Sequence, residues 1–117
     1  MSKEAEQIYV VKRDGQPPLR FRGTILGTAS TKWVGGKDQS RWDEDTIYRT
    51  KAGKIVVSHE WHTLWQGEVN SSEAWTADDI EGIIDQLSYM DGGESRIPRA
   101  LQLALEDADI DYAQDID

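Results

Sequence analysis

The chain contains no cysteine, an absence that removes disulfide bonds, thiolate metal sites and thiol nucleophiles together. It also lacks any run of about 18 apolar residues, the length a membrane-spanning helix needs. The opening segment Met1-Ser2-Lys3-Glu4-Ala5-Glu6 is polar and carries no apolar signal core, so the expected location is the cytoplasm of a bacterium or a phage host. Basic residues are scarce in the second half. Residues 1–54 hold 11 Lys/Arg against 7 Asp/Glu, whereas residues 55–117 hold 2 against 15. An acidic half of this kind repels a phosphate backbone, so direct nucleic-acid binding through it is not expected. Its electrostatic complement is a protein partner with a basic surface, and its simplest role is to keep the chain soluble.

What is present is ordinary globular composition, 38% apolar and 30% charged over 117 residues, enough for one domain with one modest core. Ile8-Tyr9-Val10-Val11-Lys12-Arg13 reads as a strand closed by the turn cluster Asp14-Gly15-Gln16-Pro17-Pro18. A long period-two segment follows. Leu19, Phe21, Gly23, Ile25, Gly27, Ala29, Thr31 and Trp33 share one face of it and mostly polar residues the other, with Gly23 and Gly27 marking a bulge or close packing. Val34 to Ser40 reads as a loop. Trp42 to Thr50 reads as a third strand, residues 51–54 as a hairpin turn with Gly53 left-handed, and Ile55 to about Leu64 as a fourth strand that Trp65 to Val69 extends past Gly67.

Asn70-Ser71-Ser72-Glu73 then reads as the end of the sheet, and the remainder as helical. Thr76 is the expected N-cap of a helix carrying the stripe Ile80, Ile83, Ile84 and Leu87, stopped by Gly92-Gly93. Ser95 is the expected cap of a second helix, with Pro98 in its first turn and Ile97, Leu101, Ala104, Leu105 and Ala108 buried; the chain is expected to fray after Asp107. The expected fold is α+β: an antiparallel sheet of about four strands in residues 8–69, then two helices in 76–107 packed on one face, then an acidic tail at 108–117.

Few groupings suggest chemistry. His59-Glu60-Trp61-His62 is one residue short of the zinc-protease spacing and sits on a strand, where His59 and His62 point to opposite faces, so a metal would need ligands from elsewhere. Asp107-Ala108-Asp109-Ile110-Asp111 imitates the start of a calcium loop but has Tyr112 where the turn needs Gly. Gly35-Gly36-Lys37 lacks the spacing of a phosphate loop. No catalytic residue, metal or cofactor is assigned. Five tryptophans remain, and tryptophan combines large apolar area with a polar handle. Two or three of them belong to a core; Trp42, Trp61 and Trp65 are the candidate partner contacts, with Asp107, Asp109 and Asp111 as an acidic patch.

With these motifs laid out, the chain resembles the EXLDI family of small bacterial proteins. Arg20-Phe21-Arg22-Gly23-Thr24-Ile25-Leu26-Gly27 is similar to that family's Arg-Phe-x-Gly-x-Leu-Leu-Gly strand. Tyr48-Arg49-Thr50-Lys51-Ala52-Gly53-Lys54 is similar to its Tyr-Arg-Thr-x-Lys-Gly hairpin, and Glu106-Asp107-Ala108-Asp109-Ile110 to its Glu-x-Leu-Asp-Ile ending, with Ala108 in place of leucine. The segment resembling a ribbon-helix-helix module that precedes the sheet in family members is lacking, and the resemblance implies a sensor or partner-binding part. Three functions are therefore weighed. The first is a non-catalytic interaction domain with a protein partner. The second is a phage-type inhibitor of a defence nuclease that mimics DNA with its carboxylates. The third is a small-ligand binder or enzyme using His59 and Glu60.

Overall fold

The computed structural model describes residues 6–32 and 40–113. Trp33 and the Gly35-Gly36-Lys37 turn lie outside these residues. Five antiparallel strands form one sheet in sequential order: β1 (Gln7–Arg13), β2 (Gln16–Ser30), β3 (Arg41–Thr50), β4 (Ile55–Thr63) and β5 (Ser71–Ala77). Helix α1 (Ile80–Leu87) follows, then a small hairpin of β6 (Tyr89–Asp91) and β7 (Glu94–Arg96), then α2 (Arg99–Asp107). The architecture is mixed α/β and mostly strand, with more strands than the four expected.

Five expectations fail between residues 64 and 98, each for a local reason. The segment after Thr63 does not extend β4. It turns at residues 65–68, where the Glu68 amide donates to the Trp65 carbonyl, and the chain comes back as β5 through the polar residues read as the end of the sheet. Thr76 is therefore in a strand, and the N-cap of α1 is Asp79, whose Oδ1 accepts from the Gly82 amide at 2.8 Å. Gly92 and Gly93 do not stop a helix. Both have positive φ, 63° and 85°, the two-residue combination that suits a tight hairpin, and they join β6 to β7. Ser95 consequently lies in β7, and α2 begins after Pro98, which gives no side-chain cap.

Register fixes two faces. On one, Ile47, Ile55 and Val57 bury against Ile83 of α1 and against Leu101, Ala104 and Leu105 of α2, and this cluster is the core. On the other, the Tyr48 ring packs at 4.9 Å from Tyr9 and 5.2 Å from Phe21, and Val56, cross-paired with Tyr48, is buried too. The sheet curls around this aromatic side. The Asp14 amide donates to the Ser72 carbonyl and the Ser72 amide to Asp14 Oδ2, both at 2.9 Å, which draws the β1–β2 turn onto β5.

β2 does not keep one face throughout. Ile25 pairs with Tyr48 and Gly27 with Ile47, leaving Leu26 as a bulge. Phe21 and Ile25 thus lie on the aromatic side, whereas Gly27 and Ala29 turn to the helices. The absence of a side chain at Gly27 lets α2 come down on the sheet, for a Cβ there would meet the Ala104 carbonyl oxygen at 2.5 Å. Helix α2 closes with the Asp109 amide bonded to Glu106 and the Ile110 amide to Leu105, and with Asp109 left-handed at φ 59°. Over residues 108–113 the chain does not fray as expected: Ile110 and Tyr112 pack against the core. Among the described residues, no helix is long and apolar enough to cross a membrane.

Candidate functional site

Three groupings of polar and aromatic side chains are built on β3, β4 and the segments that adjoin them. Alternation along β4 distributes them, sending His59 and Trp61 to the helix side and Glu60 and His62 to the other.

On the helix side, His59 stands opposite Asp45 on β3 and Glu73 on β5. Its Nδ1 lies 2.5 Å from Asp45 Oδ1, and its Nε2 lies 3.3 Å from Asp43 Oδ1. Asp45 is 2% exposed, so this carboxylate depends on the imidazole as its counter-ion. The hydrogen bond to Asp45 raises the His59 pKa above its ordinary value. Partial burial opposes that shift, and the charges of Asp45, Asp43 and Glu73 add to it. A cleft of about 330 Å³ opens here, lined by these four groups with Trp75, Leu87 and Pro98.

On the aromatic side, Trp42 stacks on His62 with ring centroids 5.2 Å apart and planes 15° from parallel, and Lys32 Nζ lies 4.3 Å from the Trp42 ring centroid. His62 Nε2 lies 3.3 Å from Glu44 Oε1 and 3.2 Å from Glu60 Oε1. Among the described residues, Glu44, Glu60 and His62 could hold a metal, their ligand atoms all lying within 4.8 Å of one another. Sequence reading missed this group because Glu44 comes from the neighbouring strand. The alternations Trp42/Glu44 and Glu60/His62 were each visible, and only the register unites them.

At the end of the sheet, the loop of residues 64–70 is tied down at its base. Arg41 grips Glu68 with two nitrogens, Nε at 3.0 Å and Nη2 at 2.6 Å, and Thr63 Oγ1 donates to Glu68 at 2.5 Å. Arg41 first, then Thr63, pushes the Glu68 carboxyl down to about 2. Asn70 Oδ1 accepts from the Thr63 amide, in the manner of a ladder bond, and Trp65 Nε1 donates to Ser40 Oγ at 2.7 Å. Upon this base Leu64, Trp65 and Val69 stand 67%, 55% and 80% exposed.

The residues singled out from sequence are thus dispersed. Trp65 is exposed as expected. Trp42 is half-buried against His62, and Trp61 is half-buried on the helix side, so the three tryptophans form no common patch. His59 and Glu60 face opposite ways. In the acidic patch, Asp107 Oδ2 accepts from the Thr28 amide at 3.0 Å, Asp111 Oδ1 accepts from the Ala113 amide, and Asp109 shapes the end of α2. Two of those three carboxylates therefore already serve the fold. No family model, curated protein or solved structure matches this chain.

Proposed function

We infer that this protein is a non-catalytic interaction domain that binds a protein partner through the 64–70 loop, with Trp65 as the anchor. The observation that carries this reading is the pairing of three exposed large apolar side chains with a loop base held by Arg41, Glu68, Thr63 and Asn70. Apolar tips usually cost solubility and gain nothing unless something covers them. A tip that is already ordered loses little conformational entropy on docking, so more of its apolar burial appears as affinity. Tryptophan is enriched, with tyrosine and arginine, among the residues that anchor such contacts. The partner that suits it offers an apolar cleft wide enough for an indole. A basic rim on that partner would complement the 15 acids against 2 bases of residues 55–117.

The test is affinity capture from the native host lysate with wild-type protein and a Leu64→Ser/Trp65→Ala/Val69→Ser variant, each at low and high salt. A protein held by wild type at both salts and released by the variant supports the reading. Equal retention by the variant, or retention of nothing, rejects it. Capture of a nuclease subunit at low salt only, by both proteins alike, would favour the DNA-mimic alternative, whose binding weakens steeply with salt.

A further inference from the structure

Glu44 and Glu60 are directly opposed on β3 and β4, on one face of the sheet. Like charges in that position repel, and sheets normally avoid the arrangement. His62 lies between them with its Nε2 buried, and although both carboxylate oxygens are within 3.3 Å, neither is aligned to form a hydrogen bond with it. A buried nitrogen left in this state costs free energy unless another group satisfies it. One imidazole nitrogen and two carboxylate oxygens, all within 4.8 Å of one another, form a ligand set. Neighbouring ligand atoms of a tetrahedral zinc ion with bonds of about 2.0–2.1 Å lie about 3.3 Å apart, close to the two nitrogen–oxygen separations found here.

The geometry points to a divalent transition-metal site at Glu44, Glu60 and His62, with zinc as the ion that best suits this donor set. Imidazole favours zinc over magnesium or calcium, which prefer all-oxygen surroundings. The support around the donors is that of a built site. Trp42 Nε1 donates to Glu44 Oε2 at 3.2 Å, which leaves Oε1 directed at His62, and the same indole stacks on the His62 ring and fixes its plane. Both glutamates are partly open to solvent, which gives an ion its way in. Three protein ligands leave a fourth position for water or for a donor brought by another molecule. A bound ion would neutralise the opposed carboxylates and satisfy the buried nitrogen together. The site is independent of the 64–70 loop, so either can stand without the other.

The experiment is zinc titration of tag-free, chelator-stripped full-length protein, followed by calorimetry and by tryptophan fluorescence. Folding of every variant is checked by circular dichroism. One equivalent of zinc should bind, Trp42 emission should change, and ¹⁵N spectra of the histidines should show the shift of a metal-bound nitrogen at His62 Nε2. His62→Gln and Glu60→Gln should each weaken binding by at least about 100-fold, and Trp42→Phe, which removes only the support to Glu44, by about 10–100-fold. His59→Gln, on the opposite face, should bind as wild type does. Magnesium at the same concentration should give no response. Absence of zinc binding by folded wild type up to about 100 µM, a span reaching far above ordinary site affinities, would overturn the assignment. So would binding that survives His62→Gln, or a ligation shift at His59 instead.

Discussion

Gly27→Ala tests how α2 is held on the sheet. The added Cβ would lie 2.5 Å from the Ala104 carbonyl oxygen and 2.7 Å from both the amide nitrogen and the Cβ of Ala108. Ordinary contacts of these kinds begin near 3.4 Å, so the last turn of α2 would have to lift by roughly 0.7–1 Å, on the order of the displacement that overpacking forces on backbone. That turn cannot lift freely. Leu101, Ala104 and Leu105 are buried beneath it, and Asp107 holds the Thr28 amide at 3.0 Å. Overpacking costs about 1–3 kcal/mol, and two of the three obstructing atoms are backbone, so a value of about 2–3 kcal/mol is expected. For a domain of this size the melting temperature should fall by about 8–12 °C. Urea unfolding followed by circular dichroism should show a lower midpoint at unchanged slope, because the surface exposed on unfolding is the same. Adding Ala108→Gly should recover only part of the loss, since it removes one obstructing atom of three. A Gly27→Ala protein within about 0.5 kcal/mol of wild type, the range of a neutral surface change, would refute the close approach of α2 to β2.

Three further outcomes are expected. Because Asp45 raises the folded-state pKa of His59 above its unfolded value near 6.5, the pair's contribution is complete below about pH 6.5 and lost as pH rises through the raised value. NMR titration should find a raised His59 midpoint that falls in Asp45→Asn, and a stability that increases between pH 6 and 9 on account of this pair would contradict the assignment. Glu68, held down to about 2, should keep the 64–70 loop ordered as pH falls from 7 to 4, with amide exchange of its residues accelerating only on further acidification or in Glu68→Gln. Asp109, left-handed at φ 59°, should tolerate glycine, whereas Asp109→Val should cost about 1–2 kcal/mol by denaturation, and equal stability of the two variants would place the end of α2 elsewhere.

The sequence was most legible where burial on one face enforces a period. The stripe Ile80, Ile83, Ile84 and Leu87 packs on the core as its spacing predicts, Leu101, Ala104 and Leu105 likewise, and Gly53 takes its left-handed place at φ 94°. It was least legible where polar residues make regular structure. Ser71-Ser72-Glu73 looks like a loop because an edge strand needs no apolar alternation; its identity comes from pairing with Trp61, Glu60 and His59. Gly92-Gly93 follows a helical pattern and so reads as a stop, although the same dipeptide is equally a hairpin turn. The Leu26 bulge reverses the facing of β2 without interrupting its sequence rhythm. The exposure of Trp65 was recoverable from its polar neighbours. The opposition of Glu44 to Glu60, and of Asp45 to His59, depends on strand register, which no single strand encodes.

The 64–70 loop as a rigid apolar contact surface is the central claim, and the affinity of the captured partner for Trp65→Ala tests it most directly. Measured by calorimetry against wild type, at a salt concentration high enough to screen the acidic half, Trp65→Ala should weaken binding by at least about 30-fold, the loss of roughly 2 kcal/mol expected of an anchor. An Asp107→Asn/Asp109→Asn/Asp111→Asn protein, in which the amide oxygens of Asn can still accept from the Thr28 and Ala113 amides, should bind within about threefold of wild type once circular dichroism shows it folded, since the charge removed lies at the rim. Near-equal affinity of Trp65→Ala and wild type, with the loss falling on the aspartate variant, would contradict that claim and assign recognition to the acidic surface.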